Sequence, residues 1–135
     1  MKHIYSKVDS NILLHIINKL EDINKTRTNI IPDNEYLQLS TLNLDKDVTF
    51  KAHKHIKCVR ETDITQESWV VIKGKVKAIL YDLDDKIIHE EILNPGDCSI
   101  TLRGGHNYLS MEQGTVVYEY KTGPYFGQEK DKIFI

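Results

Sequence analysis

The sequence predicts an all-β domain, an antiparallel sandwich or barrel, preceded by one N-terminal α-helix. From Glu35 onward, short runs rich in Val, Ile, Thr, Tyr and Phe alternate with turn signals at intervals of roughly 8 to 12 residues. No long helical pattern separates those runs, so nothing is available to carry the chain across between parallel strands. At 135 residues the chain is long enough for one domain with a core and too short for two. Residues 1–34 read as helix and linker, and residues 35–135 as the β domain.

Taken in order, Asp9 and Ser10 are good N-cap residues, and Ile12, Leu13, Ile16, Ile17, Leu20 and Ile23 recur after them at helical spacing. That spacing predicts an amphipathic helix ending near Asn24. Ile30-Ile31-Pro32-Asp33-Asn34 then breaks any regular pattern, which marks a loop. The strand-like runs are Tyr36 to Leu44, Val48 to His55, Trp69 to Lys73, Val76 to Leu83, Lys86 to Leu93, Cys98 to Leu102, Tyr108 to Met111 and Val116 to Lys121. Asp84-Asp85 suits a tight hairpin, and Asn94-Pro95-Gly96-Asp97 is a strong turn.

With 40% hydrophobic and 28% charged residues and a formal net charge of -2, the composition is that of a globular protein. Lys+Arg at 18 against Asp+Glu at 20 leaves no global field for a phosphate backbone, which argues against a nucleic-acid partner. No apolar run approaches the ~20 residues that span a bilayer, and MKHIYSKVDS lacks the apolar centre of a signal peptide, so a cytoplasmic protein with no membrane partner is expected. Cys58 and Cys98, far apart and without C-x-x-C spacing, read as two reduced thiols.

The chemistry gathers around histidine. His53 and His55 lie two residues apart in a strand-like run, so alternation points both imidazoles to one face. Such a pair can hold a metal. It can equally be two solvent-facing histidines among Lys51, Lys54 and Lys57. Downstream, Glu67 opens an apolar run that ends at Gly74, Pro95-Gly96-Asp97 makes a turn, and Gly104-Gly105-His106 needs a bend that glycine accommodates most readily.

This arrangement resembles the cupin superfamily. Its first motif has a His-x-His pair and a glutamate seven residues before a glycine, matched here by His53, His55, Glu67 and Gly74. Its second has a Pro-Gly-Asp turn, a glycine-bearing bend and a third histidine, matched by Pro95-Gly96-Asp97, Gly104-Gly105 and His106. The resemblance implies a double-stranded β-helix, or jelly-roll, cupin barrel with one divalent metal held by His53, His55, Glu67 and His106. Three imidazoles and a carboxylate suit Fe, Mn, Zn, Ni or Cu and leave positions open. Two departures stand out: the interval Ile56 to Gln66 is longer than the family's, which brings Glu61 and Asp63 into competition with Glu67, and Leu102-Arg103 replace the proline expected before the third histidine.

The C-terminal run from Tyr120 through Gly123-Pro124-Tyr125 to Glu129-Lys130-Asp131-Lys132 is similar to a group of single-domain cupins encoded among genes of polysaccharide and nucleotide-sugar biosynthesis. That similarity implies a small, sugar-like ligand. Trp69, on the face of Glu67, is then a candidate for stacking on a sugar ring, Tyr108, on the face of His106, for proton transfer, and Arg103 for gripping a carboxylate or phosphate. Each also has a plain structural role open to it, as core aromatic or surface arginine. His15, on the predicted helix, and His89, among charged residues, read as bystanders.

The function expected is a metal-dependent isomerase or epimerase of a carbohydrate derivative, with Fe(II)-dependent oxygenation as a variant of the same site. From a different class comes a non-catalytic sugar-binding module. The resemblance also implies a homodimer, joined through edge strands.

Overall fold

The computed structural model describes residues 1–135 as ten strands and two single 3-10 turns, with no α-helix. The strands are β1 Lys2–Tyr5, β2 Leu13–Asn18, β3 Thr28–Asn29, β4 Ser40–Thr41, β5 Glu67–Lys73, β6 Val76–Tyr81, β7 Ile87–Leu93, β8 Cys98–Thr101, β9 His106–Ser110 and β10 Val116–Lys121. A five-stranded sheet has the order β1-β2-β8-β5-β10, a three-stranded sheet the order β7-β6-β9, and β3 pairs with β4 alone. Every ladder is antiparallel. No ladder joins the edges of the large sheet to those of the small one, so the strands do not close into a barrel. With no helix long and apolar enough to cross a membrane, the chain offers no helical span.

Alternation along the strands decides what lies between the sheets. Ile4, Ile17 and Val71 of the large sheet meet Val76, Ala78, Leu80 and Leu93 of the small one, and that cluster is the inner core. The opposite face of the large sheet is buried as well. There Ile16, Cys98 and Ile100, with Leu102, are covered by Ile30, Ile31, Leu37 and Leu39 from the segment that follows β3. At about 1.5–3 kcal/mol for each large apolar side chain removed from water, these two layers supply most of the drive to fold.

Burial on both faces explains why the expected N-terminal helix is absent. Leu13 to Ile17 form a strand between β1 and β8, with Ile17 turned to the inner core and Ile16 to the outer layer. A strand covered on both sides is apolar at every position, and such a run matches helical spacing by accident. Its isoleucines are β-branched and favour the strand. Asp9 caps no helix: its carboxylate accepts from the Asn11 N–H within the β1–β2 connection, where the Ser6 N–H also donates to the Ile12 carbonyl. The pattern at Leu20 to Ile23 becomes a single 3-10 turn, Leu20–Asp22.

The other strand-like runs divide sharply. From Trp69 to Lys121 each has its counterpart in β5 to β10, and the turns at Asp84-Asp85 and Asn94 to Asp97 form as expected. By contrast, Tyr36 to Leu44 yields only the two residues of β4, because Leu37 and Leu39 are used as a cover and not as a ladder. Val48 to His55 is not a strand. Residues 42–64 are exposed throughout, and past Val48 no backbone group bonds another backbone group until the Gln66 carbonyl accepts from Thr122.

Candidate functional site

The interior between the sheets changes character toward β9. On β5, Glu67 and Trp69 share the inward face of Val71; on β8, Ser99 and Thr101 share the face opposite Cys98 and Ile100; on β9, His106 and Tyr108 look across from the small sheet. The register sets Glu67 beside Thr101 and Trp69 beside Ser99. Gly104 makes the approach to β9 possible. It sits at φ +77°, and a side chain there would strike the Tyr81 carbonyl at 2.5 Å and the His15 ring at 3.3 Å.

Glu67 and His106 form the centre. His106 Nε2 lies 3.2 Å from Glu67 Oε1, and the Trp69 indole N–H donates to the same oxygen at 3.0 Å. Burial by itself would raise the Glu67 carboxyl, but the hydrogen bond and charge of His106, with the Trp69 N–H and the Lys132 charge, outweigh it and hold the group below the usual carboxylate range. Glu67 therefore stays ionised and can only accept. It follows that His106 Nε2 carries a hydrogen toward Glu67, and Nδ1 is the ring nitrogen turned away from the pair. That Nδ1 is buried and has no partner, a condition shared among buried side-chain atoms only by Ser68 Oγ on the outer face.

Around this pair the wall is aromatic and hydroxylic. Trp69 and Tyr108 stack with centroids 4.2 Å apart and planes 14° from parallel, and the His106 ring tilts 5.3 Å from Tyr108. The Tyr108 hydroxyl donates to Ser99 Oγ at 3.3 Å, and burial pushes its pKa well above that of a free phenol. Behind it sits His15, fully buried, with Nδ1 3.1 Å from Thr101 Oγ1 and Nε2 2.9 Å from the Tyr81 carbonyl oxygen. Burial lowers the His15 pKa to about 4, so its ring is neutral at pH 7.

Of the residues singled out by sequence, Glu67, His106, Tyr108 and Trp69 come together. His53 and His55 do not. Their rings meet each other edge to face at 5.5 Å, but on the exposed 42–64 segment, as do Glu61 and Asp63. No three His, Cys, Asp or Glu side chains converge as a metal would need, so the set His53, His55, Glu67 and His106 does not fit one metal in this arrangement. Arg103 is committed elsewhere: its guanidinium donates at 2.8 Å to Glu35, which also takes the Gln66 amide, tying the outer cover to the sheet. Cys58 is exposed and Cys98 buried, and neither is in a disulfide.

His15, Ser99 and Thr101 escaped the sequence reading. For His15 a signal existed: a single polar ring inside Leu13-Leu14-His15-Ile16-Ile17 is buried by its neighbours once the run is read as strand, and a buried imidazole needs partners. Two hollows lie away from this cluster, one of about 410 Å³ lined by Met1, His3 and residues 29–33, the other of about 260 Å³ beside Lys19 and Glu91. No family model, curated protein or solved structure matches the chain.

Proposed function

We propose that this chain is a cupin-type jelly roll that binds a small, hydroxyl-rich, sugar-like ligand between its sheets, and that His106, held by Glu67, moves a proton on that ligand in an isomerase- or epimerase-like reaction. The observation that carries this reading is the orphaned Nδ1 of His106. A buried polar atom without a partner costs about 1–3 kcal/mol, and a fold keeps one where a ligand will supply the partner. The arrangement is also that of a general base. A carboxylate fixes the tautomer and steadies the imidazolium that forms when Nδ1 takes a proton. Trp69, half-buried and stacked on Tyr108 by one face, would take a sugar ring on its other face.

The test is deuterium wash-in from D2O, followed by NMR or mass spectrometry, with a panel of nucleotide-linked hexoses. The wild type is expected to exchange a carbon-bound hydrogen of one panel member, and His106→Asn to slow that exchange about 100-fold or more. Binding without exchange would favour a sugar-binding module that does no chemistry. Failure to bind any member overturns the reading.

A metal-loaded form is the second reading, favoured by the convergence of Glu67 with His106 and by the adjacency of the His53 and His55 rings. It requires the 42–64 segment to fold inward. Wild-type protein should then retain about one divalent ion per chain and the His53→Ala/His55→Ala variant should lose it; equal metal content in the two sinks this form while leaving the proton-transfer reading intact.

A further inference from the structure

We infer that residues 131–135 form a strap across the end of the sandwich where Glu67 meets His106, and that this strap, seated by Ile135 on Gly105, is the gate a ligand passes to reach that pair.

The two ends of the strap are held on opposite sheets. At one end Asp131 accepts from the Thr65 hydroxyl at 2.5 Å and lies 3.6 Å from the Lys121 ammonium. Thr65 stands two residues before Glu67, and Lys121 is the partner of Glu67 in the β5–β10 ladder. At the other end the Ile135 Cδ1 lies against Gly105, the residue before His106, where the Tyr81 side chain also packs. Four peptide steps reach at most about 14 Å, and two packed sheets stand about 10 Å apart. A segment pinned at these points therefore runs directly from the large sheet to the small one. Between the pins comes Lys132, whose charge acts on Glu67.

Gly105 makes the seat. Unlike Gly104, it is not in the left-handed region, so the backbone at this position does not itself call for glycine. A Cβ built there would come within 2.6 Å of the Ile135 Cδ1. The space left by the missing side chain is the space Ile135 uses. The hold is light, however. Beyond the Lys132 N–H, which donates to the Gln128 carbonyl, no backbone group of the strap bonds another backbone group, and Ile133, Phe134 and Ile135 are exposed. A segment with so few buried contacts opens at far smaller free energy than the sheets beneath it, so the gate lifts while the sandwich stays folded.

That a ligand uses this end rests on the reading that it binds at His106 between the sheets; the strap itself is tested with no ligand present. The experiment is carbethoxylation of the full chain by diethyl pyrocarbonate at pH 7, mapped to each histidine by mass spectrometry. His106 Nε2 is engaged by Glu67 and Nδ1 is buried, so the reagent meets a ring nitrogen when the strap lifts. Exposed His53 and His55 report the unhindered rate, and fully buried His15 reports any parting of the sheets. Ile135→Ser and Asp131→Ala, each releasing one end, should speed His106 labelling about fivefold or more and leave His15 unreacted. Gly105→Ala should do the same by expelling the Ile135 methyl. Gly105→Ala/Ile135→Val, in which the new methyl takes the room of the lost Cδ1, should restore the wild-type rate. Unchanged His106 labelling in Ile135→Ser, a substitution at a position 59% exposed, overturns the gate, as does His15 reacting in step with His106. Neither result bears on the proton-transfer reading, which is decided by the sugar panel.

Discussion

Two stretches of this chain have much the same vocabulary and opposite fates. Residues 67–81, from Glu67 through the Gly74 corner to Tyr81, and residues 48–60, from Val48 to Arg60, are both built of Val, Ile and Lys with an aromatic residue. The first becomes β5 and β6 and fills the inner core; the second is exposed from end to end and makes no ladder. Local propensity therefore does not decide the difference. Partners do: β5 lies between β8 and β10, and β6 between β7 and β9, so every inward residue of theirs has a facing layer. Residues 42–64 contain no Gly, Pro or Ser, the residues that normally mark a linker.

The sharpest way to break this contrast is limited proteolysis. Trypsin should cut after Lys51, Lys54, Lys57 or Arg60 about a thousandfold or more faster than after Lys73, Lys75 or Lys77, since the latter bonds open only with the sheets. Comparable rates at the two sets of sites would mean that the segment is bound to the body after all.

Smaller in effect, and measurable by urea denaturation, is the response to truncation. Leu80→Ala removes a fully buried side chain from the inner core and should cost about 2–5 kcal/mol, whereas Ile56→Ala, at 85% exposure, should fall within about 0.5 kcal/mol of wild type.

Acidification refines the picture of the body. The His15 pKa is lowered in the folded chain to about 4 from 6.5, so the unfolded chain binds the extra proton in that interval. Stability should be full above pH 6.5 and fall as the pH drops toward 4, with a total loss on the order of 3 kcal/mol from this one residue. His15→Gln should flatten that part of the pH curve; an unchanged slope would assign the loss to another group.

Much of the architecture was legible because it is local. Gly74, the Asn94 to Asp97 turn and Gly104-Gly105 delimit strands whose alternation needs only neighbours to be seen, and Glu67, Trp69, His106 and Tyr108 were placed on faces by that alternation. What the sequence could not show is which faces are covered from afar. Leu13 to Ile17 read as helix because the second layer over them is built by Ile30, Ile31, Leu37 and Leu39, and Tyr36 to Leu44 read as strand because its alternate leucines serve as that layer. His53 and His55 were assigned a face in a strand, and a face has meaning only where a ladder exists to define it.

The position of β2 carries a consequence in time. Its ladder to β8 joins His15 to Thr101, 86 residues later, so the N-terminal strand emerges mostly apolar and must wait for most of the chain before its central pairing is available. Closing so long a loop before any reward is gained is what slows folding in β proteins. During that interval β1 and β2 present an unprotected edge on the side β8 will occupy, which makes this hairpin the place where nascent chains would associate with one another instead of with themselves.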